Sequence, residues 1–251
     1  MRWRKGFQFA LAAASVLAAA LLLGAVVRPQ LGGTPPDQAP APSPEPTPQI
    51  PKHAPSEFLV MIDPSHGGED KGAMLGRGKI AEKDIALALA RVLKRQLEER
   101  GVTARLLRDS DIDLSLDRRA TITNEEHPAV YVALHAGPPG WGVRVYTPAL
   151  QPARATGKFL PWEDAQAASL QRSRVVARTV AHELSKIGLP VASLTSTLRP
   201  LNNLTSPAVA VEWVPGSAEV RPSQLLRFGN TLASAIASGI VQARNQGVDR
   251  P

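Results

Sequence analysis

Residues 58–73 read FLVMIDPSHGGEDKGA, and the apolar run and glycine-rich turn within them indicate the fold class. Its first six residues form a short, continuous apolar run, which is typical of a strand that is buried on both faces. A glycine-rich turn follows at once. The next segment, 81–100, carries apolar side chains at helical spacing on one face, and Gly101 ends that helix. The sequence therefore predicts a strand, a turn and an amphipathic helix in succession.

The chain beyond this unit repeats the alternation of apolar runs and amphipathic segments. Further strands are predicted at 102–108, 129–135, 141–147 and 207–213, and further helices at 118–124, 163–187 and 222–244. Strands that alternate with amphipathic helices favour an α/β fold with a mostly parallel, twisted sheet and helices on both faces. The stretch 148–163 is expected to be a loop.

Two segments of different composition precede this α/β domain. Residues 7–27 form an almost unbroken apolar run, long enough to cross a hydrocarbon core of about 30 Å. Residues 29–56 contain ten of the 23 prolines, which favours a semi-rigid spacer. We therefore expect a signal anchor or transmembrane segment at 1–28, a proline-rich linker at 29–56 and one catalytic domain at 57–251.

The charges around the apolar run indicate its orientation. Arg2, Arg4 and Lys5 precede it, whereas Arg28 alone follows directly, which places the N-terminus in the cytoplasm. The run ends without a small-x-small motif, so an uncleaved anchor is favoured over a cleaved signal peptide. The expected location is exported: anchored in the inner membrane and facing the periplasm, or periplasmic if the segment is cleaved.

The composition excludes several functional classes. The absence of cysteine removes disulfide scaffolds, thiolate nucleophiles and thiolate-bound metals. Any metal is then held by His, Asp or Glu. The net charge is +7, but the domain has no Lys/Arg-rich run and only 4% of the chain is aromatic. We therefore expect no nucleic-acid partner.

Chemically reactive side chains lie at the ends of three predicted strands. His66 follows the first, whereas His135 and Glu212 end two later ones. The carboxyl ends of strands in an open α/β sheet form its ligand-binding edge. Glu82 lies at the start of the next helix, on the same side as the apolar residues that face the sheet. Two imidazoles and one carboxylate suit a catalytic zinc ion, and a further carboxylate suits a general base.

Each of these residues also has a structural interpretation. His66 would then be a surface histidine, Glu82 a partner of the helix dipole, His135 a core histidine and Glu212 an exposed strand end. Two histidines and one carboxylate also suit Fe(II), which leaves a non-haem iron enzyme as an alternative. The remaining histidines are expected to be solvated: His53, His127 and His182.

The segment VMIDPSHGGEDKGA (60–73) resembles the opening motif of the zinc-dependent N-acetylmuramoyl-L-alanine amidases, which cleave bacterial peptidoglycan. The likeness continues in order through 81–111, 116–124, 132–137 and 207–212. This resemblance implies the zinc ligands His66, Glu82 and His135, with Glu212 as the catalytic carboxylate. It also implies that Arg119 is either structural or a contact to acidic substrate.

The resemblance implies hydrolysis of the amide between N-acetylmuramic acid and L-alanine, with peptidoglycan as the substrate. No segment indicates a particular protein activator. Ser65, Ala133 and Gly137 depart from the usual residues beside the histidines, and WVPGS follows Glu212 instead of a G-F-x-S-N pattern. These departures keep a second interpretation open: a non-catalytic peptidoglycan-binding or regulatory module that retains the amidase fold.

Overall fold

The computed structural model describes residues 58–76, 79–138, 140–150, 162–215 and 222–249. The expected anchor at 1–28 and linker at 29–56 lie outside these ranges, as does most of the expected loop at 148–163. Among the helices that are described, none combines the length and hydropathy needed for a membrane span.

Strands and helices alternate along the described ranges, as the sequence predicts. The elements are β1 (Leu59–Pro64), β2 (Met74–Leu75), β3 (Ile80–Ala81), α1 (Glu82–Glu98), β4 (Thr103–Leu106), α2 (Leu116–Glu126), β5 (Val130–Ala136), β6 (Trp141–Pro148), α3 (Leu170–Lys186), β7 (Val191–Ser196), β8 (Ala208–Pro215) and α4 (Pro222–Asn245). Short 3₁₀ helices at Trp162–Ser169 and Leu201–Asn203 precede α3 and β8.

Six strands form one sheet in the order β4–β1–β5–β8–β6–β7, and β2 and β3 form a separate hairpin. Within the large sheet β6 is antiparallel to β8 and every other neighbouring pair is parallel. The predicted mostly parallel sheet is therefore confirmed. The pair β6 and β7 runs against the other four strands, which the alternation of strands and helices alone does not specify.

Helices cover both faces of this sheet, as predicted. On one face, strand residues such as Val60 and Val132 join a large buried cluster with apolar residues of α1, α3 and α4. On the other face, Met61 and Tyr131 pack with Ala120 of α2 and Leu201 of the second 3₁₀ helix. Successive residues of β1 thus contribute to opposite cores, which explains why its sequence is apolar without interruption.

Two departures from the predicted elements have local causes. Strand β7 was not predicted because it lies at the sheet edge and four of its residues are exposed. The predicted helix 163–187 begins as a 3₁₀ helix up to Ser169. There Gln166 donates to the carbonyls of Leu204 and Ser206, both at 2.8 Å, and so ties this segment to the loop before β8.

The strand order places three distant parts of the chain at one edge. β1, β5 and β8 are adjacent and parallel, and in their register His135 is the direct neighbour of Glu212. Pro64 ends β1 beside Leu134 of β5. The turn after β1 therefore begins next to the two strand ends that carry His135 and Glu212.

Candidate metal centre

His66, Glu82 and His135 converge at this edge, as the sequence predicts. The carboxylate of Glu82 lies between the two rings, with Oε2 at 3.2 Å from Nε2 of His66 and Oε1 at 2.9 Å from Nδ1 of His135. One candidate ligand atom from each residue lies within 4.8 Å of the other two. Two imidazole nitrogens and one carboxylate oxygen this close together form a donor set that fits a zinc ion.

The turn after β1 directs His66 toward Glu82 through an unusual backbone conformation. His66 has a φ of 62°, in the left-handed region that few residues other than glycine adopt. Gly72 leaves the room that this arrangement requires. A Cβ at position 72 would lie 2.6 Å from both Oε2 of Glu82 and the His66 ring. The glycine-rich turn therefore serves the packing of two candidate ligands.

Two buried arginines hold the backbone of this turn. Arg119 donates to the carbonyls of Pro64 at 3.1 Å, His66 at 2.8 Å and Leu114 at 2.8 Å, and it forms an ion pair with Asp63. Only 3% of Arg119 and 1% of Asp63 are exposed. The donors of Arg119 are directed into the protein. This geometry favours its structural role over contact with an acidic substrate.

Arg108 supports the same backbone from the side of α1. It donates to the carbonyls of Pro64 at 2.9 Å and Ser65 at 3.0 Å, and to that of Lys83 at 2.9 Å. Burial, together with the nearby charge of Arg119, lowers the pKa of Arg108. Three successive carbonyls, those of residues 64 to 66, thus accept hydrogen bonds from guanidinium groups.

Each imidazole has a hydrogen-bond partner on the nitrogen that faces away from Glu82. Nδ1 of His66 lies 2.8 Å from Oδ2 of Asp70, and Nε2 of His135 lies 2.8 Å from Oγ of Ser65. Such partners orient a ring and fix which nitrogen is presented to a metal. Ser65 departs from the usual residue of the resembled motif, and in this chain it contacts a candidate ligand.

The electrostatics of the cluster keep Glu82 ionised. Its burial alone would raise its pKa, but hydrogen bonds with His135, His66 and the backbone N–H of Ala73 outweigh burial and lower the pKa well below its usual range. The hydrogen bond to Glu82 raises the pKa of His66; burial opposes that shift and Asp70 adds to it. Metal binding requires the ionised form of Glu82, whereas it requires neutral imidazoles, so a metal that binds here would displace the proton that the raised pKa of His66 favours.

Glu212 lies beside this cluster but is held by other groups. Its Oε2 accepts a hydrogen bond from Nη1 of Arg144 at 2.9 Å and one from the hydroxyl of Tyr146 at 2.8 Å. The side chain is 18% exposed. Sequence reasoning did not single out Arg144 and Tyr146. Their alternate positions in WGVRVYT (141–147), on a strand next to β8, are the signal that points to them.

The unusual segment after Glu212 begins with a buried aromatic residue. Trp213, the first residue of the unusual WVPGS segment, is 5% exposed and its ring stacks on that of Phe228 with centroids 5.7 Å apart. His127 and His182 are exposed, as predicted. His53 lies outside the described residues.

The family of the chain follows from comparison with known proteins. A family model described as N-acetylmuramoyl-L-alanine amidase matches residues 60–242. The chain belongs to this amidase family. The resemblance stated from the sequence motifs is thereby confirmed.

Individual relatives agree with this assignment. The chain is 27% identical to the N-acetylmuramoyl-L-alanine amidase AmiA of Salmonella typhimurium, over 74% of this chain and 76% of that protein. A match of 36% identity to an amidase of Neisseria meningitidis covers 35% of this chain and 22% of that protein. A solved amidase from Nostoc punctiforme is 26% identical with a TM-score of 0.56, over 76% of this chain and 98% of that one.

A further solved structure supports the fold alone. The catalytic domain of an N-acetylmuramoyl-L-alanine amidase from Bacillus (Paenibacillus) polymyxa is 24% identical with a TM-score of 0.60. The similarity covers 74% of this chain and 98% of that domain. The α/β architecture of the described residues is therefore that of solved amidases.

Replacing Arg119 by Met tests its structural role. The substitution removes the buried partner of Asp63 and the donor to three backbone carbonyls. Because it leaves a buried charge without its ion-pair partner, the free energy of unfolding should fall by about 3–5 kcal/mol in chemical denaturation. The adjacent, exposed Arg118 provides a matched control, and Arg118→Met should change it by less than about 0.5 kcal/mol. Equal effects of the two substitutions would contradict the role assigned to Arg119.

Proposed function

We propose that this chain is a zinc-dependent N-acetylmuramoyl-L-alanine amidase that hydrolyses the amide between the lactyl group of N-acetylmuramic acid and L-alanine in peptidoglycan. The observation that carries this proposal is the convergence of His66, Glu82 and His135 beside Glu212 in a member of the amidase family. Family membership supports the substrate and the reaction, and the geometry supports the assignment of residues.

His66, Glu82 and His135 are the proposed zinc ligands. His66 would bind through Nε2 and His135 through Nδ1, because Asp70 and Ser65 contact the opposite nitrogens. When bound, zinc lowers the pKa of a coordinated water to about 7 and polarises a carbonyl group. Fe(II) also accepts this donor set, and the metal content after aerobic purification separates the two ions.

Glu212 is the proposed general base. Its carboxylate would accept a proton from the water whose oxygen attacks the lactyl carbonyl carbon, and would pass that proton to the nitrogen of L-alanine as the C–N bond breaks. The direct products are the lactyl carboxylic acid and the L-alanine amine, and the acid then gives its proton to the amine, which leaves a carboxylate and an ammonium group. The direct pairing of Glu212 with His135 across β8 and β5 supports a base next to a metal ligand.

We propose that Arg119 acts as a positioning residue and not as a substrate contact. Its burial and its bond to the His66 carbonyl support this role. Through that bond it would hold the first ligand in its left-handed conformation.

The proposed location is outside the cytoplasm, where peptidoglycan lies. Residues 1–28 would anchor the chain in the inner membrane facing the periplasm, and the linker 29–56 would carry the catalytic domain 57–251 toward the wall. The linker would reach about 80 Å in a polyproline II conformation. The charge pattern around the apolar run and the ten prolines of the linker support this arrangement.

The reaction is tested by mass spectrometry of muropeptides incubated with the full chain in detergent. The wild type should release stem peptides with a new L-alanine amino terminus, and a chelator should abolish release. Glu212→Gln should retain zinc but lower turnover by at least about 100-fold, since a general base contributes that much. His66→Ala should lose both zinc and turnover.

Glu125 on α2 is exposed and gives the control for Glu212. Glu125→Gln should turn over at the wild-type rate. Wild-type turnover by Glu212→Gln would refute its role as base. Binding of sacculi by the wild type without any peptide release would favour the non-catalytic module.

The anchor is tested by cell fractionation and intact mass. The full chain should sediment with inner membranes and keep residues 1–28, because the apolar run spans the bilayer without a cleavage motif. A variant that starts after residue 28 and carries a cleavable signal peptide should be recovered in the soluble periplasmic fraction. A mature wild-type mass that lacks the first segment would show cleavage and contradict the anchor.

A further inference from the structure

The carboxylate of Glu212 makes different contacts through its two oxygens. Oε2 accepts from both Arg144 and Tyr146, at 2.9 and 2.8 Å. Oε1 lies against the backbone of Gly137, so near that a Cβ at that position would be 2.5 Å away. One oxygen is therefore held by two donors, and the other faces the loop that follows His135.

The register of the sheet produces this arrangement. Arg144 of β6 is paired directly with Glu212 of β8, and Tyr146 follows two residues later on the same face of the strand. Tyr146 is partly buried against the cluster that contains Met61 and Tyr131. Packing therefore fixes the ring of Tyr146, and its hydroxyl group contacts the carboxylate of Glu212 at the end of the sheet.

Both donors are in the protonation state that this contact needs. The hydrogen bond to Glu212 raises the pKa of Arg144. Burial, followed by the hydrogen bond to Glu212, raises the pKa of Tyr146. Arg144 therefore stays a cation and Tyr146 a phenol, and both donate to Oε2.

We propose that Arg144 and Tyr146 are positioning residues, which hold Oε2 of Glu212 so that Oε1 is the oxygen that takes the proton from the attacking water. This inference rests on the amidase function proposed above and deepens it. Glutamate has three rotatable side-chain bonds, and a base that is free to turn spends little time in reacting geometry. Two donors hold Oε2 in place, and Oε1 then lies on the side of Gly137.

The position of Oε1 of Glu212 explains why residue 137 is a glycine. A side chain at this position would occupy the space that Oε1 fills, since the built Cβ contact of 2.5 Å is far shorter than van der Waals contact. Gly137 departs from the residue usual in the resembled motif, and in this chain it admits the reacting oxygen of Glu212 next to His135.

The test compares steady-state kinetics on a soluble muramoyl-peptide for wild-type and variant full chains loaded with zinc. Arg144→Met and Tyr146→Phe should lower kcat by about 10- to 100-fold with little change in KM, because the base is misplaced and not the substrate. Arg144→Lys should recover part of kcat, since an ammonium group also donates. Zinc content should stay at the wild-type level in all three.

A second arm separates positioning from a general structural effect. In the Glu212→Gln background, Arg144→Met and Tyr146→Phe should change the residual rate by less than about 2-fold, because residues that act as a unit are not additive. Gly137→Ala should lower kcat with Arg144 and Tyr146 intact. Arg105 forms an ion pair of 2.8 Å with Glu126 at the other end of the sheet order, and Arg105→Met should leave kcat unchanged.

The outcomes distinguish this inference from the proposed function. An inactive wild type would overturn the amidase function and this inference with it. An active wild type whose Arg144→Met and Tyr146→Phe variants keep full kcat would overturn the positioning role alone. The positioning role would also be overturned if Arg144→Met and Tyr146→Phe lowered the rate equally in the wild-type and Glu212→Gln backgrounds. It would be overturned too if Tyr146→Phe lost zinc and its lower kcat were fully accounted for by that loss.

Discussion

The site depends on how three consecutive backbone carbonyls, those of Pro64, Ser65 and His66, are held by two buried guanidinium groups. Arg108 and Arg119 together donate to all three carbonyls, and Asp63 balances one of the two charges. Burying two cations is costly unless their donors are satisfied. The carbonyl contacts satisfy them and at the same time fix the left-handed conformation of His66. Two buried cations therefore hold the backbone that positions His66, the first candidate ligand.

The strand order then brings the remaining groups to this turn. β1, β5 and β8 are neighbours, so residues separated by more than a hundred positions in the chain meet at one edge. Glu82 arrives through the start of α1, and the reversed strand β6 brings Arg144 to Glu212. The parallel strands β5 and β8 thus supply the candidate ligand His135 and the proposed base Glu212, and the antiparallel strand β6 supplies the groups that contact this base.

Much of this arrangement can be predicted from the sequence, for physical reasons that differ between residues. The uninterrupted apolar runs at β1, β5 and β8 indicate buried parallel strands, and polar residues where such runs end indicate a site. The edge strand β7 buries too little surface to show a pattern. Arg144 gives no signal by itself, because its role depends on a register that brings it opposite Glu212. The hydrogen bond between Ser65 and His135 similarly depends on tertiary structure.

We propose that one zinc ion is bound by His66, Glu82 and His135 while Glu212 stays outside its coordination. Anomalous diffraction at the zinc absorption edge, from crystals of the zinc-loaded protein, would locate the ion and identify its ligands. We expect a single zinc peak bonded to Nε2 of His66, Nδ1 of His135 and a carboxylate oxygen of Glu82, at about 2.0–2.2 Å. A peak that includes Glu212 as a ligand, or that lies away from these three residues, would contradict it.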